Sequence, residues 1–220
     1  MIRACLTLTS ILLFSSAIGA CTQTRYHSIN AHEEMEMPFS RNVYFRIADA
    51  FYTDPPHCLI VMPTTDIEVP LDVVNIVEQA LALHLSKKVA RVIGPEDRRS
   101  AERKLALNVK NPLDRRYLAR NERCQAYLAW QLKDYDDSYI LVWSRKKIGL
   151  EVKLMLIEND TELWFASHTT YRSEGGLPLS LLSLPIAAAE ATIFNQDAEQ
   201  LTSMVNDAVR RLIVTLPDVS

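Results

Sequence analysis

The chain has 220 residues, with 24 Lys and Arg against 27 Asp and Glu and a net charge of −3 at pH 7. This acidic balance argues against a nucleic-acid partner, and the chain contains no repeat or low-complexity tract. Once an amino-terminal leader is set aside, about 200 residues remain, which is enough for one domain with a hydrophobic core.

The amino terminus carries a basic residue and an apolar run that ends in small residues and a cysteine. Arg3 precedes the run from Leu6 to Ile18, which closes as Ile18-Gly19-Ala20-Cys21. This pattern is typical of a secretory signal, and the run is too short to span a membrane comfortably. The closing residues resemble the bacterial lipobox, in which the cysteine is acylated and becomes the first residue of the mature protein.

The residue after this cysteine indicates to which membrane a lipoprotein is delivered. Thr22 stands where an Asp would retain a lipoprotein in the inner membrane, so the sorting pattern predicts delivery to the outer membrane. Palmitate and further acyl chains, at about 0.8 kcal/mol per buried CH₂, would make attachment permanent. We therefore expect a signal peptide at 1–20, a lipid on Cys21 and a periplasm-facing protein. The alternative is an ordinary signal peptide with an incidental cysteine.

The mature chain divides by composition into a tether and a domain. Residues 21–57 are polar and mixed, which predicts a lipidated tether with one strand at 42–47 and a reach of roughly 35 Å. Residues 58–220 form the predicted domain. Its first half alternates short apolar runs with helical patterns. The elements expected there are a strand at 58–62, a helix from Pro70 to Lys88, a strand at 89–93, a helix at 96–108 and a short helix after Pro112.

The second half changes to strand periodicity. Three or four consecutive strands are predicted as an antiparallel meander. The candidate segments are 125–133, 138–145, 150–158 and 162–172, with polar breaks at Asp136-Asp137 and Asn159-Asp160. A last helix follows, with a capping box from Asp197 to Gln200 and an apolar stripe that ends at Pro217. The order predicts an α+β fold with helices packed on one face of a mixed sheet.

Positive charge is concentrated in residues 87–123, which hold 12 Lys and Arg against five acids, a net of +7. Two interpretations are open. The segment forms either a solvated helical face or a docking surface for an anionic partner such as lipopolysaccharide, an exported polysaccharide or an acidic protein. The candidate residues of this basic surface are Arg98, Arg99, Arg103, Arg115, Arg116 and Arg120.

Three cysteines remain after signal removal. With Cys21 lipidated, Cys58 and Cys124 are left in an oxidising compartment, which predicts one disulfide between them. Metal binding is the weaker interpretation because no CxxC or HxxxH spacing surrounds them.

Several motifs together resemble a known family. These are the lipobox, the apolar first strand with its helix, the third-strand pattern from Ala126 to Tyr135, and a hairpin matched by Leu156, Ile157, Glu162, Leu163 and Trp164. They are similar to the TolB amino-terminal-like accessory lipoproteins. That group includes the curli-secretion lipoprotein, the Pel polysaccharide lipoprotein and uncharacterised lipoproteins of Neisseria. The resemblance implies that strands one and three lie side by side, and that the protein is a non-enzymatic, often ring-forming adaptor.

Apart from that resemblance, the sequence contains no recognisable catalytic arrangement. His57, His84 and His168 are isolated in the sequence, and the serines near residue 180 lack a nucleophile-elbow motif. We expect no enzyme activity, metal or cofactor, and an accessory role in the assembly of the envelope or in export of protein or polysaccharide. The alternative is a glycolipid-handling lipoprotein that resembles the lipopolysaccharide-assembly plug. A homo-oligomeric ring would favour the adaptor, and a monomer bound to one barrel would favour the plug.

The apolar segment 175–194 is either core or an interface. Its candidate contact residues are Leu177, Leu179, Leu182 and Ile186. If the segment contacts a subunit or a membrane, replacing Leu182 and Ile186 with Asp should dissociate the oligomer or release the membrane contact while the fold survives. Size-exclusion chromatography and circular dichroism check this outcome. A double variant that unfolds would place the segment in the core instead.

Overall fold

The computed structural model describes residues 25–27, 43–65, 69–140, 143–175 and 198–219. Within these ranges the chain forms one sheet and five helices. The strands are β1 (Arg25–His27), β2 (Tyr44–Ile47), β3 (Cys58–Val61), β4 (Arg91–Ile93), β5 (Ala126–Ile140), β6 (Trp143–Leu156) and β7 (Glu162–Gly175). The helices are α1 (Asp49–Thr53), α2 (Leu71–Leu85), α3 (Pro95–Leu105), α4 (Pro112–Glu122) and α5 (Ala198–Val214). None of the described helices is long and apolar enough to cross a membrane.

The sheet is mixed, with the strand order β1-β7-β6-β5-β3-β4. Strand β3 runs parallel to both β4 and β5, whereas β5, β6 and β7 form an antiparallel meander. The α+β class, the mixed sheet and the adjacency of the first apolar strand and the strand after Cys124 are confirmed. The two parallel pairings follow from the crossovers through helices, and the meander follows from short connections.

The predicted break at Asp136-Asp137 is wrong, because β5 runs through it. In the register of the sheet, Asp136 lies opposite Lys147 and Asp137 lies opposite Lys146. An acidic pair that suggests a turn in isolation therefore lies inside a paired strand here. The meander therefore has three long strands. The turn at Asn159-Asp160 is confirmed, and Asp160 has a positive φ of 54°.

The larger core lies between the sheet and helices α2 and α5. Alternate residues of β5 and β6 face it, and the helices contribute apolar stripes such as Val77 and Leu81 in α2. Trp164 is fully buried, and its indole N–H donates a hydrogen bond to the hydroxyl of Thr215 at 3.2 Å. Burial of each large apolar side chain contributes about 1.5–3 kcal/mol, so this layer supplies most of the driving force for folding. The predicted capping residue of α5, Asp197, lies outside the described residues.

The opposite face of the sheet carries a helix as well. Ile60 and Tyr127 point away from the larger core and pack with Leu118 and Ala119 of α4 in a second, smaller cluster. The sequence places the helices on one face only. Because β3 is apolar at every position, both of its faces need cover, and α4 supplies the cover on the second face.

Two segments that the sequence assigns to the tether belong to the sheet. Strands β1 and β2 both pair with β7, at Thr169–Tyr171 and Trp164–Ser167, and Phe51 of α1 is buried in the core. Short edge strands gain stability from backbone hydrogen bonds to an open edge. The strand predicted at 42–47 is confirmed as β2. Composition does not reveal β1, because its polar residues resemble linker.

A buried ion pair connects α2, α3 and β3. The guanidinium of Arg98 lies 2.9 Å from the carboxylate of Glu78 and donates a second hydrogen bond to the carbonyl of Val61. Burial raises the pKa of Glu78, and the charge of Arg98 opposes that rise. Arg98 is only 2% exposed. Its assignment to a basic surface is therefore wrong, because a carboxylate on the preceding helix holds it inside.

Replacement of Arg98 should destabilise the fold. Arg98→Met removes the hydrogen-bond donor of the Val61 carbonyl and of Glu78, which keeps only Arg99 at 3.9 Å. The free energy of unfolding should therefore fall by about 3 kcal/mol in urea titrations. Arg103→Met, at an exposed position of the same helix, is the control and should change stability by less than about 0.5 kcal/mol. Equal effects of the two substitutions would contradict the assignment.

Candidate partner-binding surface

The structure divides the six predicted surface arginines into paired and unpaired groups. Arg98 is buried. Arg99 donates a hydrogen bond to the amide oxygen of Asn75 at 3.2 Å, and Arg115 lies 3.0 Å from the carboxylate of Asp160. Arg103, Arg116 and Arg120 form no ion pair within the described part of the chain. Arg116 and Arg120 lie one turn apart on α4, so the basic surface reduces to that helix and its surroundings.

Helix α4 has well-defined ends. The side chain of Asn111 accepts a hydrogen bond from the backbone N–H of Leu113 at 2.9 Å, and Pro112 occupies the first turn. These are strong start signals because they satisfy or remove amide donors that have no helical partner. At the other end, Arg123 has a φ of 55° and the N–H of Cys124 donates to the carbonyl of Ala119. The helix is thus fixed over 11 residues.

The two sides of α4 differ in character. Leu118 and Ala119 are buried against the sheet, whereas Leu113 is 70% exposed and Tyr117 is 55% exposed. Arg116 and Arg120 share this outer side, because residues at i, i+3, i+4 and i+7 fall on one helical face. The outer side therefore combines two exposed apolar side chains with two guanidinium groups.

A groove of about 590 Å³ runs beside α4. Its walls come from α4, the chain after α1 and the β6–β7 hairpin. Residues that line it include Asp54, Arg116, Arg120, Cys124, Ile157 and Glu158. The guanidinium of Arg116 donates a hydrogen bond to the carbonyl of Ile157 at 3.4 Å. The groove is thus mixed in character, with two positive and two negative side chains around an apolar floor.

The hairpin wall of the groove is held in place by one carboxylate. Asp160 accepts a hydrogen bond from the hydroxyl of Tyr127 at 2.7 Å and pairs with Arg115, whose guanidinium stacks 4.5 Å from the centre of the Tyr127 ring. Burial and the hydrogen bond to Asp160 raise the pKa of Tyr127 to about 12. The phenol therefore stays a donor at physiological pH, and the hairpin stays fixed to the sheet beneath α4.

A disulfide between Cys58 and Cys124 closes the inner end of the groove. This is the pairing that the sequence predicts. It joins the start of β3 to the second residue after α4. The backbone N–H of Cys58 also donates to the side chain of Gln125 at 3.2 Å. The link fixes the carboxyl end of α4 relative to the sheet.

A second cluster of charge lies on the exposed face of the meander, and sequence reasoning missed it. Glu151 accepts a hydrogen bond from Gln131 at 2.7 Å and lies within 3.6 Å of the ammonium groups of Lys133 and Lys153. Lys153 also sits 5.6 Å from the ring centre of Phe165. The alternating Glu and Lys of β6 are the only sequence signal for it. The single carboxylate lies between two ammonium groups, so Glu151 offsets part of their charge and links β5 to β6 on this face.

The remaining predicted site residues lie elsewhere. Cys21 and the candidate contact residues Leu177, Leu179, Leu182 and Ile186 fall outside the described residues. In the described ranges, no three His, Cys, Asp or Glu side chains converge in a way that could hold a metal ion. His84 lies at the α2–α5 contact, where burial lowers its pKa and Asn206 forms a hydrogen bond with it.

No family model and no curated protein matches this chain. Among solved structures, the PelC dodecamer from Paraburkholderia phytofirmans is 14% identical with a TM-score of 0.40, over 78% of this chain and 96% of that chain. Lipoprotein GNA1162 from Neisseria meningitidis is 19% identical with a TM-score of 0.41, over 66% of this chain and 99% of that chain. Neither family membership nor function follows from likenesses at this level.

Loss of the disulfide should weaken the fold measurably. In Cys58→Ser/Cys124→Ser, the unfolded chain regains the freedom of a loop with a sequence separation of 66. The chain-entropy model then predicts a loss of about 4 kcal/mol in the free energy of unfolding. Chemical denaturation with and without reductant measures this loss. Titration of two free thiols in the denatured, unreduced wild-type protein would contradict the bond.

Proposed function

We propose that this protein is an outer-membrane lipoprotein that faces the periplasm and acts as a non-enzymatic adaptor in envelope assembly or export. The observation that supports this proposal best is the spacing between the lipobox cysteine and the first strand. Cys21 precedes Arg25, the first residue of β1, by four positions. A lipid on Cys21 would therefore hold the folded domain directly at the membrane.

This short connection would limit the orientation of the domain relative to the bilayer. Four residues extend at most about 14 Å, so Arg25 must stay within that distance of Cys21. Arg25 pairs with Tyr171 of β7, and Tyr171 lies nine positions along the strand from Glu162 at its other end. At about 3.3 Å per residue this is roughly 30 Å. The membrane-proximal end of β7 is thus opposite the hairpin that contacts α4.

An adaptor role is consistent with the residues that are exposed at the end of the domain farther from the proposed lipid. The exposed residues of α4 include Leu, Tyr and Arg, and Tyr and Arg are enriched in protein interfaces. The sequence offers no nucleophile, base or metal-binding motif that would favour an enzyme. In this proposal the lipid fixes the protein at the membrane and the distal end recruits a partner, with or without assembly into a homo-oligomer.

The lipid anchor can be tested directly. Cys21→Ser should abolish labelling by radioactive palmitate and move the protein out of the outer-membrane fraction, because no acyl chain can be attached. Cys5→Ser, which changes a cysteine within the leader, is the matched control and should leave labelling and fractionation unchanged. Retention of the palmitate label by the Cys21→Ser variant would refute the proposal.

A further inference from the structure

The outer side of α4 has features that its role in the fold does not require. Leu118 and Ala119 alone bury the inner side, yet Leu113 and Tyr117 project into solvent one turn apart. Exposed apolar residues are common singly, but a stripe at i, i+4 next to a groove marks a surface that contacts something. The groove lies beside Arg116 and Arg120 of the same helix and adds Leu156 and Ile157 as apolar lining.

Some arginines near this stripe are paired with carboxylates and others are not. Arg91 pairs with Glu122 at 2.8 Å and Arg115 pairs with Asp160, so α4 and its neighbours use carboxylates where an arginine has a structural role. Arg120 has no carboxylate partner among the described residues, and Arg116 reaches only a carbonyl. A guanidinium without a carboxylate partner is suited to a bidentate hydrogen bond with a carboxylate of another molecule.

We propose that the outer side of α4, formed by Leu113, Arg116, Tyr117 and Arg120, docks an acidic segment of a partner polypeptide that also carries apolar side chains. Carboxylates of the segment would bind Arg116 and Arg120, and its apolar side chains would cover Leu113 and Tyr117. Tyr and Arg are the residue types that contribute most binding energy at such interfaces. The two arginines and the two apolar residues therefore match a peptide that carries both carboxylates and apolar side chains.

The acids of the groove favour a peptide over a polyanionic chain. Asp54 and Glu158 line the same groove as the two arginines. A polysaccharide with a negative charge on every unit would meet both carboxylates and be repelled, because like charges at close range disfavour binding. A peptide can place a carboxylate at each arginine and a neutral residue at each acid. This pattern of charge therefore selects discrete carboxylates.

This inference rests on the proposed function only for its orientation. If the lipid holds β1 at the bilayer, then α4 lies at the far end of β7, roughly 30 Å away. The docking surface would then face the periplasm, where a soluble partner or the periplasmic part of a membrane protein can reach it.

The test uses the full mature protein in detergent and a fluorescent 12-residue peptide of alternating Glu and Leu as the probe. Fluorescence anisotropy should show binding that weakens with salt, and a Lys-Leu peptide should bind at least tenfold more weakly. The variant Arg116→Glu/Arg120→Glu should lose about tenfold or more in affinity for the probe. The matched control Arg103→Glu/Lys104→Glu reverses two exposed charges on α3 and should change affinity by less than about twofold.

Three further results test the contact with Tyr117 and distinguish a peptide from a polysaccharide or a second copy of the chain. Tyr117→Ala should weaken the probe severalfold while the thermal unfolding midpoint stays that of the wild type, because this side chain is exposed. If alginate oligosaccharide binds wild type and loses affinity in the Arg116→Glu/Arg120→Glu variant while the peptide does not, the peptide proposal is overturned. Loss of a homo-oligomer in the same variant, seen by sedimentation, would assign the surface to a second copy instead.

Failure of this inference and failure of the lipid anchor are separable. The α4 variants should keep palmitate labelling and outer-membrane fractionation, since Cys21 is untouched. Cys21→Ser protein should still bind the Glu-Leu peptide with wild-type affinity. Equal probe binding by wild type and the Arg116→Glu/Arg120→Glu variant would refute the docking surface and leave the anchor unaffected.

Discussion

The guanidinium of Arg98 is the interaction on which the arrangement of layers depends. It lies inside the protein, with a carboxylate from α2 on one side and the last carbonyl of β3 on the other. A buried charge is tolerated only when its hydrogen-bond partners are in place, so α2, α3 and β3 can pack in one relative position. Helix α4 follows α3 along the chain, and its place on the second face of the sheet is fixed in turn.

Strand β3 is held at both ends by different chemistry. Cys58 at its start is bonded to Cys124, two residues after α4, and the carbonyl of Val61 at its end accepts a hydrogen bond from Arg98. Between these points the strand is buried on both faces. A four-residue strand could slip in register if packing alone held it. The covalent and ionic links at its two ends remove that freedom and keep the groove beside α4 in a defined shape.

Much of this architecture is predictable from sequence because its signals are local. The apolar run at β3, the stripe of α5 and the turn at Asp160 each follow from a short stretch of residues. The burial of Arg98 is not predictable, because it depends on a carboxylate 20 residues earlier that α2 brings into contact. The continuity of β5 through Asp136-Asp137 is not predictable either, because it depends on backbone pairing with the next strand. Both errors concern charged residues whose partners are distant in sequence.

If Cys21 carries a lipid, as proposed, the pairing of β1 with β7 would set the effective concentration of the domain at the bilayer. With Cys21 as the lipid-bearing residue and β1 in place, the first fixed residue is four positions from the lipid. Without that pairing it would be Tyr44, and the maximum reach would grow from about 14 Å to about 80 Å. A shorter connection confines the domain to a thinner layer, which raises its local concentration toward other membrane-bound components. Under the proposed lipidation, three paired residues at a sheet edge would thus determine the local concentration of the domain at the membrane surface.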